Sequence, residues 1–105
     1  MKQKKTRKSL KKSSKPSRTT LNALLLKLDS AHNALEAHHN FNLAEVLISE
    51  YVNEIPQDFV DQSITKSFYH AIQRRDSELL FAAIEAEIER LRTEKIKLLR
   101  KEIID

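Results

Sequence analysis

Asn40-Phe41-Asn42-Leu43-Ala44-Glu45-Val46-Leu47-Ile48-Ser49-Glu50-Tyr51-Val52-Asn53-Glu54-Ile55-Pro56 is the stretch whose reading decides the fold. Asn42 carries the side-chain oxygen of an N-cap, and Glu45, three residues on, stands where a capping box needs it. Phe41 before that cap and Val46 four positions into the helix match a hydrophobic staple. The pattern predicts a helix that starts at Leu43. Pro56 closes it, because the residue before a proline is steered out of the helical region. Leu43, Val46, Leu47, Ile48, Tyr51, Val52 and Ile55 give this helix an apolar surface wider than one neighbour covers, so a bundle is expected.

Working outward, Leu21, Leu24, Leu25, Leu28, Ala31 and Leu35 recur at intervals of three and four. That spacing lays an apolar stripe along a first helix, capped by Thr19 or Thr20 and running to about His39. Downstream, Asp58 is the expected cap of a third helix bearing Val60, Ile64, Phe68, Ala71 and Ile72. Arg74 and Arg75 suit a helix C-terminus and Asp76-Ser77-Glu78 a new N-terminus. With no Gly or Pro to enforce that break, one helix continuing from Asp58 also fits. The fourth segment, Glu78 to Ile103, is long and amphipathic, with Leu80, Ile84, Ile88, Leu91, Leu98, Leu99 and Ile103 near one seam. Acidic Glu85, Glu87 and Glu89 precede basic Arg90, Arg92, Lys95, Lys97, Arg100 and Lys101, so an antiparallel copy would set opposite charges against each other. The expected class is all-α: a small bundle of three to four helices with a long C-terminal helix and a disordered basic N-terminal arm. Residues 1–18 form the arm and 19–105 the helical domain.

The arm dominates the electrostatics. Lys2, Lys4, Lys5, Arg7, Lys8, Lys11, Lys12, Lys15 and Arg18 all fall in the first eighteen residues with no acidic side chain among them. The chain is +4 overall, whereas residues 19–105 carry ten basic and fifteen acidic groups. A cationic leader on a mildly anionic body points to a polyanionic partner. The arm has no aromatic residue to stack on a base, so contact with DNA or RNA is expected at backbone phosphates and to be non-specific. Arg90, Arg92, Lys97, Arg100 and Lys101 at the end of the last helix form a second candidate cluster, which also obeys the helix-dipole rule.

Composition excludes much else. With 105 residues and neither Cys nor Gly, disulfides, Cys-type zinc sites and phosphate-cradling Gly-rich loops are out. His32, Glu36 and His39 share a helical face, but Glu36 and His39 are the lone Glu-x-x-His pair, whereas a di-iron bundle needs two. No cofactor or metal is expected. No nucleophile constellation or oxyanion turn is apparent, so no enzyme activity is expected. Base reading by the third helix is disfavoured because Asp58 and Asp61 would face phosphates. No apolar run approaches a membrane span, and Asn22 and Lys27 break the run after the arm, so neither a membrane role nor secretion is expected. A cytoplasmic, intracellular location is the default. The expected function is non-catalytic association with nucleic acid through the arm, with the body docking a protein partner or itself through the second and fourth helices, a homodimer included. The alternative is a protein-interaction module, a regulatory or inhibitory subunit whose arm binds an acidic or nucleic-acid-binding surface of its partner.

Overall fold

Ser17, the first side-chain oxygen after Pro16, captures the Thr20 amide at 3.1 Å and so opens the first helix. The computed structural model describes residues 16–104, with side chains through Lys101; arm residues Lys2, Lys4, Lys5, Arg7, Lys8, Lys11, Lys12 and Lys15 lie outside the described residues. Helix α1 spans Arg18–Glu36. It therefore begins before Thr19 and Thr20, the caps expected from sequence, which sit inside its first turn.

The end of α1 shifts the next cap too. His39 takes a left-handed backbone, φ 49°, and the Asn40 amide turns back to the Ala34 carbonyl at 2.8 Å. That reversal delivers Asn40, not Asn42, to the cap of α2 (Phe41–Glu54), where its Oδ1 accepts from the Leu43 amide at 3.0 Å. Phe41 is thus the first helical residue, Val46 stays 52 % exposed and the expected capping box and staple are not made. Asn42 and Glu45 face the other hairpin instead: Arg75 donates to Asn42 Oδ1 at 2.9 Å, approaches Glu45 at 3.8 Å and lies 4.7 Å from the Phe41 ring centroid.

Ile55 is extended before Pro56, as expected, and a 3-10 turn at Gln57–Phe59 then buries Phe59. The turn absorbs Asp58, so the cap of α3 (Gln62–Arg74) is Asp61, accepting from the Ile64 amide at 3.0 Å. The continuous-helix alternative fails at Arg75. This residue is left-handed, φ 52°, and the Asp76 and Arg75 amides return to the Ala71 and Ile72 carbonyls at 2.9 and 3.1 Å, a Schellman closure without glycine. Asp76 then caps α4 (Ser77–Ile104) through the Leu79 amide at 3.0 Å.

Four α-helices and the 3-10 turn, with no strand, make up the described residues. Short turns make consecutive helices antiparallel, and α4 lies antiparallel to α1, so α1 and α4 form the central pair with α2 and α3 flanking them. Leu21, Leu24 and Leu28 of α1, Ile48 and Tyr51 of α2, Phe68 of α3 and Leu80, Ile84 and Leu91 of α4 are fully buried. Ala31, Ala44 and Ala71, also buried, let the helices approach closely. Leu47 packs against this core only half-buried.

Two left-handed residues without glycine leave backbone energy to be recovered, since a Cβ in that region costs about 1–2 kcal/mol. His39→Gly is expected to raise stability by about 1 kcal/mol, net of the greater entropy of an unfolded glycine, in a urea titration. Arg75→Gly should give no such gain, because it removes the contacts to Asn42, Glu45 and Phe41.

Candidate nucleic-acid interface

The antiparallel pairing of α1 and α4 fixes where the cations fall. Asn22 and Leu25 of α1 line one groove with Arg92, Lys95, Ile96 and Leu99 of α4, while at the other end His32 meets Glu85 at 3.2 Å. The start of α1 and the end of α4 therefore share one end of the bundle. Arg18 stands there on α1, and Lys97, Arg100 and Lys101 stand there on α4, all exposed. Pro16, through which residues 1–15 join the body, is at this same end and is buried. Within this cluster Lys97 pairs with Glu94 at 3.4 Å.

Acidic groups are held farther along. Lys27 bridges Glu50 at 2.9 Å and Glu54 at 3.1 Å, linking α1 to α2. The hydrogen bonds it donates to those two carboxylates raise the Lys27 pKa above its ordinary value. The His32 ring stacks on Phe81 with centroids 4.3 Å apart, its two nitrogens directed to Glu36 at 3.6 Å and Glu85 at 3.2 Å. Those carboxylates engage opposite sides of the ring and do not converge. Among the described residues no group of His, Asp and Glu is arranged to hold a metal ion, and His39 lies beyond the helix in the turn.

Arg90 departs from the rest of its cluster. Its guanidinium turns inward, donating from Nε to Glu87 Oε1 and from Nη2 to Oε2, both at 2.8 Å. It also covers the Phe59 ring at 4.5 Å from the centroid. Glu87 is 2 % exposed and accepts a third hydrogen bond from the Tyr51 hydroxyl. Tyr51 in turn meets Phe68 edge-on, 6.2 Å between centroids. Burial, then the Glu87 charge, pushes the Tyr51 pKa far up, so the phenol remains a donor. Desolvation works against the Arg90 charge, but the Glu87 hydrogen bonds and charge outweigh it and hold the pKa above its ordinary value. Arg90 is thus committed to joining α4, α2 and the 3-10 turn.

This network had a signal in the sequence. Leu80, Ile84, Leu91 and Leu98 step along α4 by four and seven, and position 87 completes the heptad seam. A glutamate at a seam position, with an arginine one turn on, marks a buried ion pair rather than a solvated face. Leu26 and Ile96, 68 % and 51 % exposed, stand off the apolar stripes of their helices. They flank the α1–α4 groove, whose volume is about 540 Å³.

No known protein family, curated protein or solved structure matches this chain. No helix among the described residues is long and apolar enough to cross a membrane.

Proposed function

We propose that this protein is a non-catalytic nucleic-acid-associated protein: its basic N-terminal arm contacts DNA or RNA phosphates, and its helical body self-associates or docks a protein partner. The observation that carries the reading is the joining of the arm to the end of the bundle that presents Arg18, Lys97, Arg100 and Lys101. A cationic segment raises the chance of encounter, and a fixed cationic end beside its root lets both touch one stretch of backbone. The acidic groups around Glu36, Glu50, Glu54 and Glu85 would orient the body away from the phosphates.

The test is fluorescence anisotropy with a labelled duplex and a labelled RNA hairpin at low salt. Removing residues 1–15 is expected to weaken binding of both by about a hundredfold or more, given the loss of eight cations. Replacing Lys97, Arg100 and Lys101 together by Ser should cost about tenfold. Equal affinity for the full and truncated chains would overturn the proposal. A truncated chain that also loses a protein partner, in the absence of nucleic acid, would favour the regulatory-subunit reading.

A further inference from the structure

We infer that a second copy of this chain covers the groove between α1 and α4, in a two-fold arrangement that sets Leu26 of each copy on Ile96 of the other and Asp29 of each against Arg92 of the other. Among the described residues, Leu26 and Ile96 are the most exposed large aliphatic side chains on the central helix pair. Leu25 and Leu99 form the floor between them, and Asn22, Asp29, Arg92 and Lys95 complete the lining. Burying apolar side chains of this kind favours association, and the two-fold does so at four positions.

Charge and direction choose the occupant. Because α1 and α4 are antiparallel, a two-fold axis running along the groove lays α1 of one copy over α4 of the other at matching height, and the result is a four-helix layer pair with every neighbour antiparallel. The groove carries its anion, Asp29, on α1 and its cations, Arg92 and Lys95, on α4. The same rotation therefore pairs opposite charges twice. Past Arg92 the crease turns acidic, with Glu85 and Glu89, so a partner's Asp29 is repelled if it slides that way and the register is fixed. The chain's own arm is a poor occupant: it is cationic against Arg92 and Lys95, and its apolar residues are Met1 and Leu10. An acidic helix of another protein would suit the two cations but would oppose Asp29. In the dimer both arms leave from one end, presenting two cationic segments to a single polyanion.

The inference does not depend on nucleic-acid binding and is tested without it. Sedimentation velocity on the full, nuclease-treated chain is expected to give twice the 12.2 kDa chain mass. Asp29→Arg alone and Arg92→Asp alone should each weaken the dimer about tenfold or more, since each sets like charges together twice. Mixing those two variants should restore a dimer containing one of each, because both cross-copy pairs again have opposite charge. Leu26→Gln with Ile96→Gln, at exposed positions, should give a monomer with unchanged helical circular dichroism. A monomeric parent chain overturns the inference, as does a mixture that fails to form the heterodimer. A monomer that still binds duplex with steep salt dependence would leave the proposed function standing.

Discussion

Glu87→Ala is expected to destabilise the bundle by about 3–5 kcal/mol, read as a large fall in the urea midpoint. The cost comes from what remains behind. Glu87 is 2 % exposed and accepts from the Tyr51 hydroxyl and from two nitrogens of Arg90. Removing the carboxylate strands a half-buried guanidinium and a buried phenol with no acceptor. For a domain this small, total stability is about 5–10 kcal/mol, so the variant should be substantially unfolded on mild warming. Tyr51→Phe, which leaves the Glu87–Arg90 pair intact, should cost only about 1–2 kcal/mol. Replacing all three polar groups by apolar residues of similar size should recover most of the loss, since a buried ion pair holds register more than it adds net stability. A Glu87→Ala midpoint equal to that of the parent would mean the network is not buried as described.

The second large effect is electrostatic. If arm cations meet phosphates at six or more places, duplex affinity should fall by about 10³–10⁵ between about 50 and 200 mM salt. The slope of log K against log salt reads the number of phosphates neutralised, at about 0.9 for each on a duplex. Truncation of residues 1–15 should flatten that slope, while the triple Ser variant at Lys97, Arg100 and Lys101 should reduce it by a smaller step. Two duplexes of unrelated sequence should give the same curve, because the arm has no aromatic residue to stack on a base and its cations are expected at backbone phosphates. A slope near one for the full chain would place the arm elsewhere than on phosphates.

Four helices, their faces and the Pro56 stop were legible in the sequence because periodicity reports burial directly. The caps were less so. The predicted caps of α1, α2 and α3 were residues of the right chemistry two or three positions from the one used, whereas the N-terminus expected at Asp76 is used as such; local sequence does not announce the turns that made the choice. Asn40 prevailed over Asn42 because His39 turns left-handed; Asp61 prevailed over Asp58 because the 3-10 turn buries Phe59 first. Arg90 looked like its basic neighbours by composition, but its place three residues after a seam glutamate aims it inward. The cationic end of the bundle was visible as two separate charge runs. Only the antiparallel pairing of α1 with α4 brings the root of one beside the other.

The helices at that end differ from the rest in how many neighbours hold them. Up to about Leu91, α4 is packed by α1 and α3 together; among the described residues its last turns lean on the opening turns of α1. Amide exchange should therefore be slowest around Ile84 and quicken together in residues 18–22 and 96–104, as one separately melting segment. Ligand bound across that segment would slow its exchange selectively, so a deuterium map can register occupancy even where no contact is seen directly.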